Sequence, residues 1–173
     1  ILHLSDLHFI GTIDRPYFER LIEHVRHLKF DLAVLTGDLV DDMRLIPWIH
    51  QTLGHIKARF GQYSILGNHD WNLDPTVIRN ALAEAGWVDV ASRCERVRCG
   101  EAELLIAGDE LPWMGCHPEF NADPPELFRL LLSHSPDNIA WARRTRVDLM
   151  LSGHNHGGQV VWPIIGPVYS PSL

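Results

Sequence analysis

Residues 63–70 have the sequence YSILGNHD, in which a short apolar run ends in a glycine and three polar side chains. The run is rich in β-forming residues and is bounded by turn residues, so it predicts a buried strand. Gly67 supplies the turn, and Asn68, His69 and Asp70 then stand just beyond the end of the strand. A strand that ends in amide, imidazole and carboxylate groups indicates that this edge of a sheet carries chemistry.

Four other apolar runs end in the same kinds of residue. They are Ile1–Leu4 before Asp6 and His8, Leu32–Leu35 before Gly37 and Asp38, Leu130–Leu132 before His134, and Val147–Leu151 before His154 and His156. Ligand sites in open α/β sheets lie outside the carboxyl ends of the strands. If these strands lie side by side, their polar ends converge on one place, which turn chemistry alone does not explain.

Segments of helical composition alternate with the apolar runs. They are Pro16–Leu28, Met43–Arg59, Pro75–Ala85 and Pro136–Arg144, three of which have proline near the start. This alternation predicts a layered α/β fold with helices flanking a sheet. Trp87–Ala91 and Glu95–Arg98, followed by the run Leu104–Ala107, are typical of a β-meander, which predicts a mixed sheet.

The bulk properties fit one globular domain over residues 1–173, a length that can bury a hydrophobic core. The formal net charge of −7 excludes a general nucleic-acid binder, which needs a basic surface to neutralise phosphates. A phosphate-bearing substrate stays compatible with this charge, because bound cations dominate the field around them. Because the chain starts directly in a strand, we expect the natural sequence to extend beyond the residues given.

Three cysteines, Cys94, Cys99 and Cys116, match no zinc-binding spacing. We favour reduced thiols and a cytoplasmic location over a disulfide between Cys94 and Cys99, which stays open as the alternative. No apolar stretch of the sequence is long enough to span a bilayer.

The polar ends have the chemistry of transition-metal ligands. In an extended segment residues i and i+2 point to the same side, so Asp6 and His8 can face one ion together. His154 and His156 have the same spacing and could serve neighbouring ions. Mixed imidazole, carboxylate and amide ligands suit zinc, iron or manganese better than calcium. A bridging carboxylate can hold two cations roughly 3.5–4 Å apart, and Asp38 is the natural bridge.

Five motifs together resemble the calcineurin-like metallophosphoesterase family. They are Asp6-x-His8, Gly37-Asp38-x-x-Asp41, Gly67-Asn68-His69-Asp70, His134, and Gly153-His154-x-His156. The resemblance covers residues 5–158 and implies a four-layer α/β/β/α sandwich with mixed sheets. It also implies a dinuclear centre of divalent or mixed-valence manganese, iron or zinc ions.

The resemblance implies a role for each site residue. One ion would bind Asp6, His8, Asp38 and His156, and the second would bind Asp38, Asn68, His134 and His154. His69 would donate a proton to the leaving oxygen, and Asp41 would orient its imidazole. A metal-bridging hydroxide would be the nucleophile, and the substrate would be a phosphate ester or a nucleotide- or lipid-linked small molecule.

Details of the motifs narrow the expected function. Asp42 stands where protein phosphatases of the family carry arginine, which argues against that activity. Residues 154–159, HNHGGQ, resemble a bacterial branch of membrane-associated phosphodiesterases and UDP-2,3-diacylglucosamine pyrophosphatase-like enzymes, with Asn155 in place of the usual threonine. A phosphodiesterase or pyrophosphatase is therefore expected, with peripheral association at the inner membrane surface. A phosphomonoesterase and a non-catalytic scaffold are the alternatives, and the retained His69 and seven ligand positions argue against the scaffold.

Two aromatic residues near the motifs have two readings. Trp71 follows the Asn68-His69 loop, and Trp113 lies in the loop that follows the strand at Leu104–Ala107. Either could form an apolar wall for a substrate, or could pack in an ordinary core.

Overall fold

The computed structural model describes residues 1–120, 124–158 and 160–169. Its strands are β1 (Leu2–Leu4), β2 (Ala33–Thr36), β3 (Gln62–Ile65), β4 (Val88–Asp89), β5 (Cys94–Cys99), β6 (Ala102–Asp109), β7 (Phe128–Ser133), β8 (Leu149–Ser152), β9 (Val160–Trp162) and β10 (Gly166–Tyr169). Its α-helices are α1 (Arg15–Arg26), α2 (Pro47–Thr52), α3 (Asn68–Trp71), α4 (Pro75–Glu84) and α5 (Ile139–Arg144). Short 3-10 turns occur at Met43–Leu45, Leu53–His55 and Pro136–Asn138.

Two four-stranded sheets form the centre of the molecule. The first has the order β1-β2-β3-β4 and is parallel throughout. The second has the order β5-β6-β7-β8 and is mixed, because β5 pairs antiparallel with β6 whereas β6, β7 and β8 are parallel. Strands β9 and β10 form a separate antiparallel pair.

Helices α1, α2 and α4 cover one face of the first sheet. Along β2, Ala33 and Leu35 point to these helices and join a buried cluster with Phe18, Ile49 and Ile78. Such burial contributes about 1.5–3 kcal/mol for each large aliphatic or aromatic side chain, before conformational entropy is subtracted.

The opposite face of the first sheet packs on the second sheet. Val34 and Ile65 belong to the same buried cluster as Leu132 of β7, so the two sheets share a core. The neighbouring Leu131 points the other way and packs with Ala142 of α5. Alternation along the strands thus gives four layers, and the expected α/β/β/α fold is confirmed.

Local sequence accounts for the longer helices. The Asp14 carboxylate accepts a hydrogen bond from the backbone N–H of Tyr17 (3.1 Å) and caps α1, which then buries Phe18, Ile22 and Val25 on one face. Asp74 caps α4 in the same way, directly before a proline.

The prediction of one helix over Met43–Arg59 is wrong. The segment divides into a 3-10 turn, the six-residue α2 and a second 3-10 turn. Pro47 has no N–H to donate to the carbonyl of Met43, so a continuous helix cannot pass through this point. Gly54 weakens the helix further at its other end.

The prediction of a meander over Trp87–Ala91 and Glu95–Arg98 is also wrong. Strand β4 pairs with β3 in the first sheet, whereas β5 and β6 form a hairpin in the second. The chain crosses between the sheets where Val90 donates to the Ser64 carbonyl (3.0 Å) and Ser92 donates to the Gly108 carbonyl (2.9 Å). Strand propensity did not reveal which sheet each strand joins.

Two further observations concern the cysteines and the helices. Cys94 and Cys99 stand at opposite ends of β5, roughly 17 Å apart at the usual rise of an extended strand, so no disulfide joins them.

In the described part of the chain, none of the helices has both the length and the apolar composition needed to cross a membrane.

Candidate metal centre

The polar residues that follow β1, β2, β3, β7 and β8 meet at one edge of the two sheets. Five of them have a left-handed backbone, namely Asp6 (φ 55°), His8 (φ 44°), Asp38 (φ 51°), His154 (φ 68°) and His156 (φ 48°). Non-glycine residues adopt this region at a free-energy cost, and such strain clusters at functional sites. The extended backbone predicted for Asp6-x-His8 is therefore wrong, although the two side chains do come together.

Asp6, His8 and His156 form one group of candidate ligands. Their ligand atoms lie within 4.8 Å of one another. His8 Nε2 lies 3.2 Å from His156 Nε2, and His156 Nε2 lies 3.3 Å from Asp6 Oδ1. Two ring nitrogens and a carboxylate oxygen that face the same point can hold one cation.

Asp38, His134 and His154 form a second group, also with ligand atoms within 4.8 Å. His134 Nε2 lies 3.3 Å from Asp38 Oδ2 and 3.1 Å from Asn68 Oδ1, so the amide of Asn68 adjoins this group. His154 and His156 are thus assigned to different groups, as their spacing led us to expect.

Asp38 connects the two groups, and with His8 and His69 it forms a third, overlapping group. Its Oδ2 atom lies 3.3 Å from His134 Nε2 and 3.8 Å from His8 Nε2, and its side chain is almost fully buried. Its Oδ1 atom accepts a hydrogen bond from the backbone N–H of His69 (2.9 Å). A carboxylate in this position can reach cations on both sides.

Gly67 and Gly153 lie so close to the side chains of the centre that a larger residue does not fit at either position. A Cβ atom at Gly67 would overlap Asp38 Oδ1, and one at Gly153 would overlap the side-chain oxygens of Ser5 and Asp6. The Gly-Asn-His and Gly-His motifs therefore have a steric reason for their glycines.

Hydrogen bonds on the far side of the rings fix the ligand orientations. His134 Nδ1–H donates to the Thr36 carbonyl (2.7 Å), which leaves Nε2 unprotonated and facing the centre in the neutral ring. Asp41 contacts two imidazoles, because its Oδ2 lies 2.8 Å from His8 Nδ1 and its Oδ1 contacts His69 Nδ1. The contact with His69 agrees with the role expected for Asp41, whereas the contact with His8 was not foreseen.

The acid–base properties reflect this crowding. Burial acts to raise the pKa of Asp38, but the hydrogen bond and charge of His134 and the His69 N–H outweigh it and lower that pKa. Burial acts to lower the pKa of His134, but Asp38 outweighs it and raises that pKa. Burial and the nearby His134 lower the pKa of His154, which favours the neutral ring that a metal ligand needs.

Two buried acids, Asp70 and Glu110, support the loops of the centre in ways that the sequence motifs do not indicate. The Asp70 carboxylate accepts hydrogen bonds from the backbone N–H groups of Leu39 (2.9 Å), Val40 (3.0 Å) and Gly67 (3.0 Å), and burial raises its pKa to about 6. It thereby joins the loop after β2 to the loop after β3. Asp70 is within the quoted motif, but nothing in the motif indicates backbone partners 30 residues away.

Glu110 forms hydrogen bonds with the loop after β3 and with α4. Its carboxylate accepts from the Leu66 N–H (2.6 Å), from Trp71 Nε1 (3.2 Å) and from Arg79 (2.6 Å), which also pairs with Asp89. Trp71 is therefore tied into this packing.

Trp113 instead lines the centre. Its ring centroid lies 4.8 Å from that of His154 and 5.3 Å from that of His134. Of the two aromatic residues considered from the sequence, Trp113 is thus the one placed beside the candidate ligands.

Comparison with known proteins agrees with this geometry. The family profile described as calcineurin-like phosphoesterase matches residues 1–158. The chain belongs to this family. It is 31% identical, over 94% of its length, to the uncharacterized metallophosphoesterase YkoQ of Bacillus subtilis. It is 30% identical, over 99% of its length, to the phosphodiesterase YaeI of Escherichia coli.

The chain spans about two thirds of the length of these two relatives. It spans 63% of the length of YkoQ and 65% of the length of YaeI. A third relative is a transmembrane protein with metallophosphoesterase domain from Danio rerio, to which the chain is 30% identical. The match includes 91% of this chain and 40% of that protein.

Proposed function

We propose that this chain is a dinuclear metal-dependent phosphoesterase that acts as a phosphodiesterase or pyrophosphatase. The observation that carries the proposal is the pair of ligand groups that adjoin a single buried carboxylate, Asp38. One ion would take Asp6, His8, Asp38 and His156, and the other would take Asp38, Asn68, His134 and His154. The name of the relative YaeI, a phosphodiesterase, supports the same class of reaction.

The donor set fits first-row metals. Imidazole nitrogens with carboxylate and amide oxygens suit manganese, iron or zinc, and the hard all-oxygen site that calcium prefers is not formed by these residues. Two such cations would neutralise phosphate oxygens and lower the pKa of a water molecule, which supplies the nucleophile.

The protein's own groups then position the substrate and handle the proton. His69 is partly exposed, its Nδ1 is engaged with Asp41, and it lies beside His8 and Asp38, so its Nε2 is the ring nitrogen left to face a leaving oxygen. We assign His69 as the proton donor to that oxygen and Asp41 as the group that orients it. Trp113 offers an apolar surface beside His154 for the remainder of the substrate.

The proposed substrate class also bears on where the protein acts. A nucleotide- or lipid-linked phosphate ester would use both the ligand groups and the Trp113 surface. Peripheral association with the inner membrane surface from the cytoplasm is part of this proposal, and the name of the Danio rerio relative is compatible with it. A phosphomonoesterase or a non-catalytic scaffold would be the outcome if the assay below gave the opposite preference or no turnover.

The test compares hydrolysis of bis(p-nitrophenyl) phosphate with that of p-nitrophenyl phosphate, in Mn²⁺ or in chelator. We expect Mn²⁺-dependent turnover with preference for the diester, and a loss of about 10²- to 10⁴-fold in His69→Ala. His24→Ala, which removes an exposed imidazole on α1, is the matched control and should retain activity. Absence of turnover in folded, Mn²⁺-loaded protein would contradict the phosphodiesterase assignment.

A further inference from the structure

A cavity of about 690 Å³ opens beside α5, along the outer face of the second sheet. Its walls come from the segment 116–120, from Arg129 near the start of β7, and from Trp141, Arg144 and Arg146 in and after α5. Small-molecule sites have volumes in this range. The described residues that line it include none of the ligands assigned above.

Arg129 is the least exposed charged group in the cavity wall, with 9% of its surface accessible. One guanidinium nitrogen donates to the Thr145 carbonyl (2.6 Å), and the guanidinium carbon lies 4.8 Å from the ring centroid of Phe120. The Nε atom is buried without a hydrogen-bond partner. Asp148 accepts a hydrogen bond from the backbone N–H of Arg129 (2.8 Å), so its carboxylate is engaged with the main chain.

The charge of the cavity wall is opposite to that of the whole chain. Among the described residues that line the cavity, three are arginines, Arg129, Arg144 and Arg146, and one is an acid, Glu119, whereas the chain carries a formal net charge of −7. In the ranges that the structure describes, none of these three arginines lies within 4.0 Å of a carboxylate oxygen. Guanidinium groups bind phosphate oxygens through paired N–H donors, so an unpaired cluster favours phosphate.

His117 adds an oriented imidazole to the same wall. Its Nδ1 lies 2.6 Å from Asp109 Oδ2, and its ring stacks on Trp141 at a centroid distance of 4.3 Å and an angle of 7°. Asp109 is fully buried and also accepts a hydrogen bond from the Leu111 N–H (3.0 Å). With Nδ1 held by Asp109, the Nε2 atom is the one left for another partner.

We propose that this cavity binds a phosphate-bearing small molecule at a second site, separate from the metal centre. The three arginines contact the phosphate oxygens, His117 Nε2 completes the set, and the remaining volume holds an organic group of nucleotide size. The site does not depend on the catalytic assignment, because its residues are distinct from the candidate ligands.

The test is calorimetric titration with AMP. The chain is titrated once after it has been loaded with Mn²⁺ and once in chelator. We expect AMP binding that persists in chelator and exceeds that of adenosine. Arg144→Gln and Arg146→Gln should each weaken it about tenfold, because each removes a charge-assisted contact. Arg143→Gln is the matched control, since Arg143 is exposed on the same helix and does not line the cavity.

The outcomes separate the two sites. Binding that disappears in chelator would assign AMP to the metal centre and overturn the proposal. Binding that Arg144→Gln and Arg146→Gln retain in full, or no AMP binding at all, would also overturn it. Arg129→Gln should abolish binding, but it also removes a buried contact, so the two exposed positions decide the question. Hydrolysis of bis(p-nitrophenyl) phosphate by the exposed variants should match that of Arg143→Gln, which shows that the fold is intact.

Discussion

At the scale of single residues, Asp41 has no proposed metal bond but contacts two imidazoles of the centre. Its two oxygens engage Nδ1 of both His8 and His69. Asp41→Asn keeps the shape but replaces one acceptor oxygen with a donor, so one imidazole loses its partner. We expect kcat/KM for bis(p-nitrophenyl) phosphate to fall about 10- to 100-fold and the Mn²⁺ concentration for half-activation to rise.

The neighbouring Asp42 provides the control. Its carboxylate pairs with Arg44 and caps a 3-10 turn, outside both ligand groups. Asp42→Asn should leave kcat/KM and Mn²⁺ activation close to wild type. Equal losses in the two variants would mean that any change in this turn disturbs the centre, and that Asp41 has no special positioning role.

At the scale of elements, Glu110 links β6 to the loop after β3 and to α4. Burial raises the pKa of Glu110 from its usual 4.5, although Arg79 and the Leu66 N–H oppose the change. The folded chain therefore binds this proton more readily than the unfolded chain. The stability associated with protonated Glu110 is present below the unfolded pKa and is lost as the pH rises through the folded pKa.

Glu110→Gln removes this ionisable group. The prediction therefore concerns how the difference in unfolding free energy between wild type and variant changes with pH. We expect the unfolding free energy of wild type, relative to Glu110→Gln, to decrease as the pH rises above 4.5. Urea unfolding at a series of pH values measures the difference. Glu101→Gln, which replaces an exposed glutamate at a turn, is the control for the substitution itself. A difference that is constant with pH would contradict the assignment.

The same elements show what the sequence could predict. The ligand-bearing strand ends were predictable because each apolar run is followed directly by its polar residues. The contacts of Asp70 and Glu110 were not, because their partners include backbone N–H groups that lie 30 and 44 residues away along the chain. Strand β4 was misplaced for a similar reason, since a strand of two residues, one of them an aspartate, does not specify its partner.

At the scale of the whole molecule, the candidate ligands come from both sheets. Asp6, His8 and Asp38 follow strands of the first sheet, whereas His134 and His156 follow strands of the second. Cations bound between them would join the sheets at one edge and relieve repulsion among the acids gathered there. The extension of one domain over all of residues 1–173 stays a prediction.

Metal removal should therefore reduce global stability. Each ion that binds only the folded chain adds about 2.7 kcal/mol at 100 times Kd, and one such ion corresponds to roughly 5–10 °C in Tm for a chain of this size. We expect that difference between Mn²⁺ and chelator in a calorimetric scan of wild type. Asp38→Asn should lose most of this difference, because the shared carboxylate is gone, so its own Tm values in Mn²⁺ and in chelator should nearly coincide. Equal Tm values for wild type in Mn²⁺ and in chelator would contradict a metal centre that joins the two sheets.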